Sequence, residues 1–180
     1  MSGTSITLLV IGAVIVWAIA IYNRFVKRKN VVQEAWSGID VQLKRRSNLI
    51  PNLVEVVKGY AKHEAETLSK VTEQRTGNSV AERSAHETEV SKAIQSLLAV
   101  AEAYPDLKAN ENFLDLQNNL DEIESHIQSA RRFYNGAVRD LNILVESFPS
   151  NLIANIFNFR AAQFFEIELD SERQVPQVKF

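Results

Sequence analysis

The sequence contains no cysteine among its 180 residues. This excludes disulfides, thiolate nucleophiles, cysteine-based metal sites and lipidation of an N-terminal cysteine. Only six glycines and four prolines are present, and the glycines form neither a phosphate-binding loop nor a Gly-x-Ser-x-Gly elbow. The sequence signatures of thiol, phosphate-loop and serine-hydrolase chemistry are therefore missing from this chain.

The three histidines lack the spacing found in metal-binding helices. A zinc-protease helix needs a second histidine four residues after the first, but Thr67 and Val90 stand at those positions after His63 and His86. A di-iron helix needs a glutamate three residues before the histidine, and none of the three has one. We therefore predict no metal, no cofactor and no enzymatic activity; a composite site built from distant residues is the alternative.

What the chain does contain is an uncharged, proline-free apolar run from Ile6 to Tyr22. As a helix this run rises roughly 26 Å, and with a few flanking residues it spans a hydrocarbon core of about 30 Å. The alternative is a cleaved signal peptide, because Ala18-Ile19-Ala20 resembles a cleavage site. No lysine or arginine precedes the run, which favours a retained transmembrane anchor over residues 1–23.

Basic residues collect directly after the apolar run, at Arg24, Lys27, Arg28 and Lys29. Since basic residues favour the cytoplasmic side, we expect the N-terminus outside and the domain inside. Each cation gains about 1 kcal/mol near anionic lipid, so membrane lipid is a predicted partner. Residues 47–180 hold thirteen of the 20 basic and twenty of the 22 acidic side chains, and this acidic balance argues against nucleic acid.

After the anchor, apolar residues recur at steps of three and four, which is typical of helices. No strand-like run is present, so we predict an all-α fold: a transmembrane helix followed by an antiparallel bundle of three long helices and a short C-terminal helix. The bundle is predicted over residues 24–168 and an extended tail over 169–180. The later helical segments begin with a predicted hairpin of Val54–Arg75 with Val80–Ala103. They continue with Phe113–Phe148, capped by Asn110, and end with Asn151–Phe165.

A membrane-proximal apolar seam lies within the first helical stretch. It consists of Trp36, Ile39, Leu43 and Ile50. Unless the third long helix reaches it, this stripe has no obvious cover within the chain, and an uncovered apolar stripe needs a partner. We therefore expect these residues to mediate self-association into a homo-oligomer. Pro51 follows the seam and is predicted to kink or break the helix near Asn48 to Ile50, because proline removes a backbone donor.

Polar residues on or beside the seams have two interpretations. Arg46 lies between seam residues, so it needs a carboxylate such as Glu102 or Asp106, or it extends along the helix to water, which is the alternative we favour. Other polar groups are predicted to form internal hydrogen bonds, the alternative being a recognition groove. These groups are Asn52, Tyr60, Tyr104, Arg131, Tyr134, Asn135 and Asn142.

The C-terminal aromatic residues also allow more than one interpretation. The cluster from Phe157 to Phe165 is expected to cap the end of the bundle; the alternatives are docking on a partner subunit or insertion into the membrane surface. In the tail, Pro176, Val178 and Phe180 are candidates for docking into a groove on a neighbouring chain.

Several stretches resemble the LemA family of bacterial membrane proteins. They are IDVQLKRR (39–46), LIPNLV (49–54), KGYAKHE (58–64), EAYPDLKAN (102–110), NF (112–113), ARRFYN (130–135), SFPS (147–150) and the closing VPQVKF (175–180). The resemblance covers nearly the whole chain; only the segment 159–163 stands where a variable loop is expected. It implies one N-terminal helix in the bacterial inner membrane, a helical domain described as cytoplasmic, and no established enzymatic activity.

The resemblance and the sequence pattern together suggest a function. We expect a non-catalytic, membrane-anchored helical scaffold that self-associates at the bacterial membrane, in envelope organisation, remodelling or stress. The alternative is an adaptor that binds another membrane protein, such as a membrane protease. Some relatives are lipoproteins, which this chain cannot be because it has no cysteine.

Overall fold

The computed structural model describes residues 3–60 and 79–166. These residues contain five helices and no strand, which confirms the all-α fold with its long apolar N-terminal helix, long bundle helices and short C-terminal helix. The helices are α1 (Gly3–Lys58), α2 (Val80–Glu102), α3 (Pro105–Lys108), α4 (Glu111–Glu146) and α5 (Ser150–Ile156). The described residues fall into a first unit, 3–38 with 132–164, and a second unit formed by the remainder.

The starts of α2 and α4 are set by side-chain caps. Ser79 Oγ accepts a hydrogen bond from the Glu82 N–H (3.2 Å), and Glu82 Oε2 accepts one from the Ser79 N–H (3.1 Å). This reciprocal capping box satisfies two backbone donors that helix geometry leaves unpaired. At α4, Asn110 Oδ1 accepts from the Phe113 N–H at 3.2 Å, which confirms the predicted cap.

Helix α1 continues through Pro51 and ends at Lys58. The chain therefore does not break before Pro51, and a bend there stays a prediction. The helix predicted over Val54–Arg75 is wrong at Gly59, where a turn begins, because glycine costs about 1 kcal/mol relative to alanine in a helix interior. The rest of this predicted arm, residues 61–75, lies outside the described residues.

Helix α5 is shorter than the predicted segment Asn151–Phe165 and ends at Ile156. Asn158 has a φ of 58°, the left-handed conformation that terminates helices. The Phe159 N–H then donates to the Ala154 carbonyl at 2.9 Å, which is the backbone bond of a Schellman cap. The prediction failed because asparagine substitutes here for the glycine that usually signals a helix end.

In the first unit, α1 and α4 run antiparallel. Arg28 pairs with Asp140, and Trp36 packs against Tyr134, so the residue numbers rise on one helix as they fall on the other. The apolar core of this unit joins α1, α4 and α5. Its buried members are Phe25, Leu141, Leu144, Ile153 and Ala154.

In the second unit, the C-terminal part of α1 packs with α2, α3 and α4. Asp40 pairs with Arg83, and Arg46 pairs with Glu87, so α1 and α2 run in the same direction. Between them and α4 lies a larger apolar core. Its buried members are Ile50, Leu53, Val54, Val57, Val90, Leu97, Ala101, Leu107, Phe113 and Leu120.

Candidate functional site

The first candidate site is the apolar start of α1. This helix is long and apolar enough to cross a membrane, and no residue of its most apolar stretch is fully buried. Leu8, for example, is 71% exposed. An apolar surface of this size costs free energy in water, whereas in a bilayer the tails of the lipids cover it. Residues 3–17 of the predicted anchor are all exposed.

An aromatic collar surrounds the end of this apolar run within the first unit. The ring centroid of Tyr22 lies 4.8 Å from that of Phe157 and 5.7 Å from that of Phe159, both edge-on. Phe25, which is fully buried, stacks on Phe159 at 4.6 Å. Edge-on and stacked pairs of this kind are worth about 0.5–1.5 kcal/mol each beyond their buried area. The collar fixes the segment after α5 against α1.

The core of the first unit also includes residues of the apolar run itself. Ala18 and Ile21 are partly buried against the cluster that contains Leu144 and Ile153. Both belong to the predicted span, so the folded core and the predicted span overlap along α1. No linker separates them.

The basic residues after the run differ in their surroundings. Arg24, Lys27 and Lys29 are exposed. Arg28 Nη1 lies 3.1 Å from Asp140 Oδ2, and each side chain is about a third exposed. A pair this accessible to water is worth at most about 1 kcal/mol. Three of the four predicted lipid-binding cations therefore project freely from the helix, and the fourth has a carboxylate partner.

The membrane-proximal seam was assigned to self-association because it had no obvious cover within the chain. The structure shows that the chain does cover it. Ile39, Leu43 and Ile50 are buried within the chain. Trp36 lies against Tyr134 of α4, with ring centroids 5.5 Å apart. The third long helix does reach this part of α1, and the expectation that these four residues contact a second copy is therefore wrong in its premise.

The second candidate site is a buried charge cluster in the second unit. The guanidinium of Arg46, 1% exposed, pairs with the Glu87 carboxylate through Nη2. Its Nη1 donates to Glu124 Oε2 at 2.9 Å and to Ser91 Oγ at 3.2 Å. One cation thus holds two carboxylates and links α1, α2 and α4. Charge-assisted bonds of this kind are about twice as strong as neutral ones.

The cluster confirms that Arg46 is buried and paired with carboxylates, but these are Glu87 and Glu124 and not Glu102 or Asp106. The favoured alternative, a side chain that extends to water, is wrong. One signal in the sequence pointed to the true partner: Glu87 stands three residues before Val90, on the same stripe as the buried face of α2. A carboxylate at an apolar position of a helix indicates a buried cation on a neighbouring helix.

Two polar groups of the first unit hold the segment that follows α5. Asn142 accepts from the Ala162 N–H at 2.8 Å and donates to the Ala162 carbonyl at 3.0 Å. The Tyr134 hydroxyl donates to the Gln163 carbonyl at 2.9 Å, and burial raises the pKa of Tyr134 above its usual value. The predicted internal hydrogen bonding is confirmed for these two side chains.

Other predicted residues contribute less to a site. Tyr60 Oη accepts a long hydrogen bond of 3.4 Å from Asn110 in the second unit. Within residues 3–60 and 79–166, no three histidine or acidic side chains come together to hold a metal ion. His63 and the tail residues Pro176, Val178 and Phe180 lie outside the described residues.

The chain is similar in sequence to a known family and to several proteins. A family model described as the LemA family matches residues 35–180. Magnetosome protein MamQ 2 of Paramagnetospirillum magneticum is 26% identical over 175 residues, which cover 81% of this chain and 64% of that protein. Protein LemA of Metamycoplasma hominis is 27% identical over 160 residues, covering 83% and 73%. The chain thus spans just under two thirds of the length of that MamQ protein. The family model matches most of this chain, which therefore belongs to the LemA family.

Proposed function

We propose that this chain is a non-catalytic, membrane-anchored helical scaffold whose copies associate at the bacterial membrane. The observation that carries the proposal is the overlap between the folded core and the apolar run. Ala18 and Ile21 of the run pack with Leu144 and Ile153 of the first unit. A domain on a flexible linker would instead be separated from its anchor. Here the fold begins inside the span, which suits a protein that works at the membrane surface itself.

The relatives support a structural role. Two similar proteins of Paramagnetospirillum magneticum and one of Magnetospirillum gryphiswaldense are named as magnetosome proteins. These names state no reaction. The described residues likewise offer polar groups that are occupied in holding helices together, as in the Arg46 cluster, and these contacts serve stability more than chemistry.

Association between copies needs a surface other than the seam. Exposed apolar side chains remain on α4 in the first unit: Phe133 is 59% exposed and Ile143 is 55% exposed. Aromatic residues at the surface are typical anchors of protein interfaces. We therefore assign the contact between copies to this part of α4, together with the lipid-facing side of α1.

The test is co-purification of two differently tagged copies. Both are expressed together in the membrane and extracted in mild detergent, and one tag is used to capture the other. We expect capture, and we expect it to fall at least several-fold when Phe133→Ser and Ile143→Ser are combined. Gln128→Ser, at an exposed polar position of the same helix, serves as the matched control and should leave capture unchanged.

A negative result has a defined meaning. If no second copy is captured, and a different membrane protein is captured instead and lost on deletion of residues 175–180, the adaptor alternative replaces the scaffold. Membranes from cells that express each tag separately are mixed before extraction as a further control. If capture from that mixture equals capture from co-expressed copies, the copies exchange in detergent. That result would contradict association in the membrane.

A further inference from the structure

We infer that α5 and the turn before it form a second membrane contact, which lies in the lipid headgroup region beside the transmembrane helix. The contact consists of an apolar edge on α5, namely Leu152 and Ile156, with the flanking residues Phe148 and Phe157. The occupant of this surface is lipid. The assignment is independent of association between copies.

The four side chains are exposed although all are large and apolar. Phe148 is 80% exposed, Ile156 72%, Phe157 54% and Leu152 51%. They occur within ten residues of sequence, whereas isolated exposed apolar residues are normal on soluble proteins. A group this dense marks a surface that meets a partner or a membrane.

Helix α5 presents three distinct sides. Ile153 and Ala154 are buried against the first unit. Leu152 and Ile156, four residues apart, share one exposed edge, as helix periodicity requires. Asn155, exposed and polar, lies about 100° around the helix from Ile156, on a third side. An interfacial helix needs this division between an apolar and a polar side.

The position of α5 along α1 matches the membrane boundary. Phe157 packs on Tyr22 at 4.8 Å, and Tyr22 is the last residue of the apolar run. Tyrosine is enriched where a transmembrane helix leaves the hydrocarbon. Ile153 shares a cluster with Ala18 and Ile21 of the run. The apolar edge of α5 is therefore continuous with the lipid-exposed surface of the anchor.

The charge pattern favours lipid over protein. Residues 147–159, SFPSNLIANIFNF, contain no charged side chain, so lying among lipids desolvates no ion. The exposed cations Arg24 and Lys27 follow the span on α1, where anionic headgroups attract them.

The experiment uses the cysteine-free background of the full chain. Single cysteines at Ile156→Cys, Leu152→Cys and, as the matched control, Asn155→Cys are labelled with a nitroxide. The proteins are reconstituted in vesicles of mixed phosphatidylcholine and phosphatidylglycerol. Accessibility of each nitroxide to oxygen, which concentrates in lipid, is compared with accessibility to a water-soluble nickel complex. All three positions are exposed in the structure, so burial within the chain does not separate them.

We expect the oxygen-to-nickel ratio at 156 and 152 to exceed that at 155 at least threefold. Equal ratios at the three positions would overturn the inference. So would spin–spin broadening at 156 that disappears on dilution with unlabelled protein, because a second copy would then cover the edge. An anchored monomer gives the expected ratios as well, so failure of the scaffold proposal and failure of this inference are distinguishable.

Discussion

Nη1 of Arg46 lies 2.9 Å from Oε2 of Glu124, although the two residues are 78 positions apart in the chain. The same guanidinium also holds the Glu87 carboxylate of α2. Arg46 is 1% exposed, so water contributes little to its solvation. Since a buried ion loses its hydration, its stability depends on these partners.

Replacement of Arg46 by methionine is expected to destabilise the second unit strongly. Arg46→Met leaves the buried Glu87 without its cation, and losing one member of a buried pair costs about 3–5 kcal/mol. Urea unfolding followed by circular dichroism in mild detergent measures the effect. The neighbouring Arg45 is exposed, so Arg45→Met is the control and should change the free energy of unfolding by less than about 0.5 kcal/mol.

A double variant separates charge from packing. Adding Glu87→Met to Arg46→Met removes the stranded carboxylate and should restore part of the lost stability, because apolar residues of similar volume replace ion pairs well. Equal destabilisation by Arg46→Met and Arg45→Met would contradict the role of the cluster.

Removal of the Asn142 side chain is expected to release the segment after α5. Asn142→Ala deletes two hydrogen bonds to Ala162, of 2.8 and 3.0 Å. At about 1 kcal/mol each, their loss should speed amide hydrogen exchange at Ala162 by roughly tenfold or more. Asn119→Ala, at an exposed position of the same helix, is the control. Unchanged exchange at Ala162 would show that other contacts hold the segment.

The stability of the first unit is expected to fall at alkaline pH through Tyr134. Burial raises the pKa of the folded-state phenol above its usual value of 10.0, so the folded state keeps this proton at pH values where the unfolded state loses it. The stabilisation is complete below the unfolded pKa and is lost as pH rises through the folded pKa. The free energy of unfolding, measured from pH 9 upward, should therefore decline more steeply in the wild type than in Tyr134→Phe. Parallel profiles would contradict this role of Tyr134.

The exposed cations after the span are expected to set the orientation of the chain. In Arg24→Gln/Lys27→Gln/Lys29→Gln, the bias that keeps basic residues in the cytoplasm is largely removed. A cysteine at Asn155→Cys reports the side of the membrane through an impermeant maleimide applied to intact spheroplasts. We expect no labelling before lysis with the native cations and partial labelling in the triple variant.

The control for orientation changes cations farther from the membrane. Lys44 and Arg45 are exposed on the same helix but stand more than twenty residues beyond the apolar run, where charge has little influence on topology. Lys44→Gln/Arg45→Gln should leave Asn155→Cys protected. If Asn155→Cys with the native cations is labelled in intact spheroplasts, the domain lies outside. That result would contradict the predicted orientation.

Much of the fold follows from local patterns in the sequence. The apolar steps of three and four, the Asn110 cap and the end placed at Phe148 predicted α4 closely, because each depends on neighbouring residues. The apolar start of α1 was equally predictable as a long helix, since a long uncharged apolar run has few other structural solutions. Family membership also followed from motifs such as those at 39–46 and 175–180.

What failed depends on contacts between distant residues or on rare backbone conformations. Periodicity identifies the face of a helix that is buried but not the element that covers it, so the burial of Ile39 and Leu43 was missed. The partners of Arg46 lie 41 and 78 residues away. The end of α5 depends on Asn158 in a left-handed conformation, which asparagine adopts far less often than glycine.

The central claim, a scaffold of associated copies, is tested most directly by the mass of the full-length protein in mild detergent. One copy has a mass of 20.3 kDa. Native mass spectrometry, which strips the detergent, should find a closed particle of several copies, and combining Phe133→Ser with Ile143→Ser should shift the population toward single copies. A mass of one copy across the concentrations reached in the membrane would contradict the scaffold and leave a monomeric, membrane-anchored bundle.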